Sequence, residues 1–117
     1  MRALPVLLLL AVAGPAPAHD MADRPAAAMP DKPVATDHVA IDNFTFGPAF
    51  IVVKPGTTVT WTNRDDIPHL VVADDKSYRS PPLDTGDSFT RRFDKPGDYP
   101  YFCGLHPKMV GVVRVSP

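Results

Sequence analysis

One nine-residue window, Tyr101–Met109, constrains the fold of this chain more than any other stretch. It contains the only cysteine of the 117 residues, Cys103, followed at three-residue intervals by His106 and Met109. Apolar, strand-like sequence on both sides predicts that Cys103 ends one strand and Met109 begins the next, with His106 on the loop between. A thiolate, an imidazole and a thioether are ligands that suit copper and not magnesium or calcium. The window therefore predicts a metal site that needs a second imidazole from elsewhere in the fold.

The first 18 residues have the features of a secretory signal peptide. Arg2 gives a charged tip, residues 6–13 form an apolar run, and Ala16-Pro17-Ala18 matches an A-x-A cleavage pattern. The run is shorter than the ~20 residues that a membrane-spanning helix requires. We therefore expect an exported, periplasmic protein that begins at His19 and is not inserted in a membrane after cleavage.

Export limits the roles that Cys103 can have. A single cysteine cannot form an intramolecular disulfide, so it is an intermolecular linker, a reactive thiol or a metal ligand. A lone inward-facing cysteine is usually a small core residue. The histidine and the methionine that follow Cys103 at loop spacing favour the metal ligand.

The charge of the chain identifies no partner. Lysine and arginine number 12 against 13 acidic residues, and no basic stripe is present, so we expect no binding to nucleic acid. Residues 19–35 are rich in aspartate, alanine and proline without periodicity, which predicts a flexible, disordered leader. His19, Met21 and Met29 in this leader could bind copper, although an ordinary tail is the simpler interpretation.

Residues 36–117 have the pattern of a single all-β domain. Short apolar or alternating stretches are separated by turns rich in proline and glycine, and the predicted strands cover residues 39–42, 50–53, 57–63, 69–73, 88–93, 98–103 and 109–115. In the third strand Val59, Trp61 and Asn63 share one face. In the sixth, Cys103 shares a face with Tyr101, which places it at the upper end of the core. Seven or so strands at this spacing predict an antiparallel sandwich or barrel.

Three other histidines could supply the missing imidazole: His19, His38 and His69. His19 lies in the leader, and His38 is expected at the surface where the first strand begins. His69 starts an apolar strand after the loop that follows the third strand. Because a sandwich collects alternate strand ends at one pole, His69 can meet the Cys103–Met109 loop there. Two histidines, a cysteine and a weak axial methionine form the blue-copper ligand set.

From about residue 36 to the C-terminus the sequence resembles the cupredoxin family of blue copper proteins, most of all the amicyanin type with its short Cys-x2-His-x2-Met loop. The matching stretches are 59–63, 68–69, 96–99 and 106–111. The resemblance implies a Greek-key β-sandwich that holds one type 1 copper ion. It also implies that Nδ1 of His69, Sγ of Cys103 and Nδ1 of His106 are the strong ligands, with Sδ of Met109 as the long axial one.

Two residues depart from the amicyanin pattern, which has Asn after the first histidine ligand and Ser or Thr after the cysteine. Leu70 and Gly104 stand at these positions. Losing both polar partners together avoids leaving one of them buried and unpaired, which costs ~1–3 kcal/mol. The change bears on the reduction potential, because hydrogen bonding around the cysteine sulfur tunes it.

The function expected from this resemblance is that of a monomeric one-electron carrier, not an enzyme, cycling between Cu(II) and Cu(I). His106, flanked by the apolar Leu105 and Pro107, is the expected electron port. A redox protein, either a cytochrome of the c type or a dehydrogenase, would dock there transiently. Small interfaces are typical of such encounters.

Other functions compete with the electron carrier. The main alternative is a periplasmic copper-binding or copper-delivery protein in which the leader hands the metal on. A multicopper oxidase would need more ligands than one cysteine and four histidines, and a binuclear purple-copper site needs two cysteines. Zinc in a structural site is disfavoured because copper binds more tightly in the divalent series.

Overall fold

The computed structural model describes residues 32–117, which form two β-sheets packed against each other. Nine strands lie within these residues: β1 (Val34–Ala35), β2 (His38–Asp42), β3 (Thr45–Gly47), β4 (Phe50–Val53), β5 (Thr57–Asn63), β6 (Val72–Ala73), β7 (Ser88–Phe93), β8 (Gly97–Cys103) and β9 (His106–Val115). One sheet has the order β1-β4-β9-β8-β6 and the other β3-β2-β5-β7. The predicted all-β sandwich is thus confirmed.

The predicted signal peptide and most of the predicted leader lie outside the described residues. β1 begins two residues before the expected domain boundary at residue 36, and it pairs with β4. Among residues 32–117 there is no helix with the length and apolar character needed to cross a membrane.

Three strand pairs are parallel, whereas the sequence pattern suggested an antiparallel sandwich. β1 pairs with β4, β2 with β5, and β4 with β9 in the parallel direction. Alternation of apolar and polar residues indicates which face of a strand is buried, but it does not indicate whether the neighbouring strand runs parallel or antiparallel. The direction follows from the crossings of the chain between the two sheets, which give mixed sheets.

The core is built on β5, whose alternation is as predicted. Val59, Trp61 and Asn63 are buried, while the threonines between them point away from the core. The fully buried Trp61 ring meets Tyr101 of the opposite sheet edge to face, with centroids 5.3 Å apart. Such an aromatic pair contributes about 0.5–1.5 kcal/mol beyond its buried area. Cys103 is also fully buried and belongs to the same cluster, so its predicted inward orientation is confirmed.

The β8–β9 hairpin brings one end of this core close to the surface. Only Gly104 and Leu105 connect the strands, and Cys103 is the cross-strand partner of His106. His106 is therefore the first residue of β9. The sequence pattern instead predicts that His106 lies on a loop between the two strands. The tight connection brings the thiol and the imidazole to the same end of the sandwich.

A close approach between neighbouring strands makes residue 111 specific for glycine. Tyr101 and Gly111 are cross-strand partners, and a Cβ atom on residue 111 would overlap the phenol ring of Tyr101. Gly111→Ala should therefore lower the free energy of unfolding by about 1–3 kcal/mol, the usual cost of overpacking a core. Urea denaturation of the metal-free protein measures this change.

Gly47→Ala is the matched control, because the nearest heavy atom to its new Cβ would be the Ala40 carbonyl oxygen, 3.9 Å away. It should change the free energy of unfolding by no more than about 0.5 kcal/mol. Equal losses in the two variants would show that the Tyr101 contact does not determine the cost.

Candidate metal centre

Three side chains converge at the end of the sandwich that carries the β8–β9 hairpin. His69 lies between β5 and β6, Cys103 ends β8, and His106 begins β9. The Sγ atom of Cys103 is 3.5 Å from Nδ1 of His69 and 3.8 Å from Nδ1 of His106. All three ligand atoms lie within 4.8 Å of one another. His69 and Cys103 are buried, and His106 is partly exposed.

The two nitrogen–sulfur separations fit a metal ion bound to the sulfur and to each nitrogen. Metal–nitrogen bonds of about 2.0–2.1 Å and a metal–sulfur bond of about 2.3 Å, at tetrahedral to trigonal angles, require roughly 3.5–3.8 Å between nitrogen and sulfur. The two observed nitrogen–sulfur distances agree with this range. Two imidazoles with one thiolate are a donor set that suits copper.

Met109 follows His106 by three residues within β9. It is buried, with 6% of its surface exposed, and belongs to the same core cluster as Cys103. Its role as an axial ligand stays a prediction.

The side chain of Asn63 positions the segment that leads to His69. Its Oδ1 accepts a hydrogen bond from the Asp65 N–H at 2.8 Å, and its Nδ2 donates to the carbonyl oxygens of Ile67 at 2.9 Å and Leu83 at 2.8 Å. His69 also pairs with Leu83 through two backbone hydrogen bonds, of 3.1 and 2.7 Å. His69 is thus held by a bridge and a buried amide, and not by the strand predicted over residues 69–73, of which only Val72–Ala73 forms.

Asp65 orients the imidazole of His69. Its Oδ2 accepts hydrogen bonds from the Phe44 N–H at 3.0 Å and from Nε2–H of His69 at 2.9 Å. These two bonds, the one from Phe44 foremost, lower the pKa of the Asp65 carboxyl. Because an ionised carboxylate only accepts, Nε2 carries a proton, and Nδ1 is the nitrogen that faces Sγ of Cys103. Carboxylates commonly fix metal-binding histidines in this way.

The sequence pattern does not assign Asn63, Asp65 or Phe44 to the site. Asn63 carries one usable signal, since it is a polar residue on the core face of an otherwise apolar alternation. A buried amide in that position needs hydrogen-bond partners, and the loop that follows is the nearest source. Asp65 and Phe44 carry no comparable local signal.

The two departures from the amicyanin pattern form one packing contact. Leu70 is buried, and its N–H donates to Sγ of Cys103 at 3.5 Å. A Cβ atom on residue 104 would lie only 3.3 Å from Cβ of Leu70 and 3.2 Å from Cγ2 of Val72. Leu70 and Val72 therefore crowd the space that a side chain at position 104 would need, and apolar packing joins the two ligand segments.

The remaining histidines do not join this cluster within the described part of the chain. His38 has an exposed side chain that pairs with Asp37 at 2.9 Å, as expected for a surface residue. His19, Met21 and Met29 of the leader lie outside the described residues.

A β-sandwich with two histidines and a cysteine converging at one end defines a copper-binding protein of the blue-copper type. A family model described as copper binding proteins of the plastocyanin/azurin family matches residues 34–116. The chain belongs to this family, and its cofactor is copper.

Individual relatives agree with the family. Amicyanin-alpha from Methylorubrum extorquens is 32% identical over 94 residues, which cover 76% of this chain and 79% of that protein. The solved structure of a purple cupredoxin from Nitrosopumilus maritimus matches with a TM-score of 0.67 at 37% identity, covering 69% of this chain and 100% of the other. The solved structure of an amicyanin mutant in its Cu(I) form matches with a TM-score of 0.64 at 31% identity, covering 74% of this chain and 87% of the other.

Crowding at residue 104 predicts non-additive changes in stability. Gly104→Ala alone should lower the free energy of unfolding by about 1–3 kcal/mol, because the new methyl group would lie 3.2 Å from Cγ2 of Val72 and 3.3 Å from Cβ of Leu70. In a Val72→Ala background, which removes Cγ2, the same change should cost less, giving a coupling energy of about 0.5–3 kcal/mol. Urea denaturation of the metal-free single and double variants measures this coupling.

Val59→Ala provides the matched background, since Val59 is buried in the other sheet. Its combination with Gly104→Ala should be additive within about 0.5 kcal/mol. Additivity in the Val72→Ala background as well would show that Val72 does not limit the residue at position 104.

Proposed function

We propose that this protein is a type 1 copper electron carrier that is exported to the periplasm and passes single electrons between redox proteins. The convergence of Nδ1 of His69, Sγ of Cys103 and Nδ1 of His106 within 4.8 Å carries this proposal. Bound copper would supply one-electron Cu(II)/Cu(I) chemistry. The signal-peptide pattern of residues 1–18 supports export.

In this proposal His69, Cys103 and His106 are the strong ligands and Met109 is the axial one. Three contacts hold the first two of these in place: the Asp65 carboxylate on Nε2 of His69, the backbone bridge from His69 to Leu83, and the Leu70 N–H on Sγ. Ligands held by the fold in this way need to move little between oxidation states. A small rearrangement is what fast electron exchange requires.

His106 is the proposed electron port because it is the ligand that reaches the surface. Its neighbour Leu105 is 52% exposed, and Phe44, whose ring centroid lies 5.1 Å from that of His106, is 50% exposed. This small apolar surface suits a brief encounter with a redox partner, such as a cytochrome of the c type or a dehydrogenase. We propose a monomeric carrier and not an enzyme, as the family resemblance implies.

Copper loading tests the function directly. Addition of Cu(II) to the mature metal-free protein, residues 19–117, should produce an intense visible thiolate-to-copper band that Cys103→Ala abolishes. Reduction should bleach the band and reoxidation restore it without loss of metal. A pale complex would contradict the type 1 site, and release of copper to a metal-free acceptor on reduction would favour copper delivery over electron transfer.

The axial role of Met109 has its own test. Met109→Leu preserves the volume of the side chain and should leave the fold intact. Its reduction potential, measured by voltammetry, should rise, because loss of a donor destabilises the electron-poor Cu(II) state more than Cu(I). An unchanged potential in a folded, copper-loaded variant would show that Met109 is a core residue and not a ligand.

A further inference from the structure

The turn between β2 and β3 contains a phenylalanine, Phe44, in a left-handed backbone conformation that glycine adopts more readily. Asn43 and Phe44 form this two-residue connection, and both have positive φ values, of 51° and 59°. Two-residue hairpin turns of this kind favour Asn-Gly, because the second position must be left-handed. A bulky aromatic residue with positive φ is an outlier. Residues held in such conformations cluster at functional sites.

The ring of Phe44 lies against both histidines of the metal centre. Its centroid is 5.1 Å from that of His106 and 5.8 Å from that of His69, and it stands nearly perpendicular to each, at 85° and 83°. The histidine centroids are 5.3 Å apart, so the three rings form a triangle. His69 is completely buried, whereas half of Phe44 is exposed. The phenyl ring therefore lies between solvent and the buried imidazole of His69, and it covers one side of the partly exposed His106.

The backbone of Phe44 is tied to the same site. Its N–H donates to Oδ2 of Asp65, the atom that also accepts the hydrogen bond from Nε2–H of His69. A glycine at position 44 would supply the same N–H and adopt the same φ without strain. The backbone bond thus does not explain why this residue is phenylalanine. What the phenylalanine adds is its ring.

We propose that Phe44 is a specificity-determining residue that closes the histidine side of the metal centre to water and small anions. Electrons can still pass through the edge of His106, but a ligand such as azide is kept from the metal. The proposal rests on the proposed copper site. Its first test nevertheless needs no metal.

That first test is the rate at which diethyl pyrocarbonate modifies each histidine of the metal-free mature protein, followed by peptide mass spectrometry. His38, with its exposed side chain, serves as the internal reference. Phe44→Ala and Phe44→Gly should each increase the rate at His106 several-fold relative to His38, because the ring no longer covers part of the partly exposed imidazole. Phe44→Tyr, which keeps a ring, should leave the rate unchanged.

A second test distinguishes the backbone strain at residue 44 from the shielding of the histidines by the Phe44 ring. Phe44→Gly should be more stable to urea than Phe44→Ala, since both lack the ring and only alanine retains a strained φ. Lys76, with φ of 68° in the connection between β6 and β7, is the matched control. Lys76→Gly should likewise be more stable than Lys76→Ala, but neither change at residue 76 should alter the reactivity of His106.

The third test uses the copper-loaded protein, with azide as the probe. Both Phe44→Ala and Phe44→Gly should bind azide at least about tenfold more tightly than the parent protein, as seen in the visible spectrum. If the parent shows its thiolate band and neither histidine reactivity nor azide affinity changes, Phe44 is not a cover and the inference is wrong. If the parent lacks the band, the proposed function fails, and the histidine reactivities alone decide the role of Phe44.

Discussion

The metal centre depends on one carboxylate oxygen, Oδ2 of Asp65. It accepts hydrogen bonds from the imidazole of His69 and from the backbone of Phe44, so it joins the ligand loop to the β2–β3 turn. Asp65 is itself held through its N–H by the buried amide of Asn63. Because Asn63 is the last residue of β5, the strand that carries Trp61, the position of His69 is set by the core. The hairpin that carries Cys103 and His106 supplies the other half of the site.

The ligand segments are joined by apolar packing as well as by hydrogen bonds. Leu70 and Val72 crowd the space beside Gly104, and the Leu70 backbone N–H still reaches Sγ of Cys103. The hydrogen bond to sulfur therefore does not depend on a polar side chain at position 70. Since this bond and the burial of the sulfur both tune a copper–thiolate centre, the substitution pair alters the surroundings of the thiolate while retaining its backbone donor.

Much of this architecture is predictable from the sequence because its signals are local. The Cys-x2-His-x2-Met spacing identifies three candidate ligands, and alternation along β5 and β8 identifies which side chains face the core. The parallel pairings, the bridge from His69 to Leu83 and the ring triangle formed by Phe44 depend on how distant segments meet. Position 44 illustrates the difference, because neither the alternation nor the Asn-Phe turn sequence indicates that the ring will cover two histidines.

X-ray absorption at the copper edge tests the central claim most directly, namely that the fold holds copper between one thiolate and two imidazoles. For the Cu(II)-loaded mature protein we predict one sulfur at about 2.3 Å or less and two nitrogens at about 2.0 Å. Reduction should change these distances little, because the hydrogen bonds around His69 and Cys103 hold the ligands in place. A first shell of nitrogen and oxygen atoms without sulfur, as expected for copper bound elsewhere on the chain, would contradict the assignment of Cys103 and with it the proposed electron carrier.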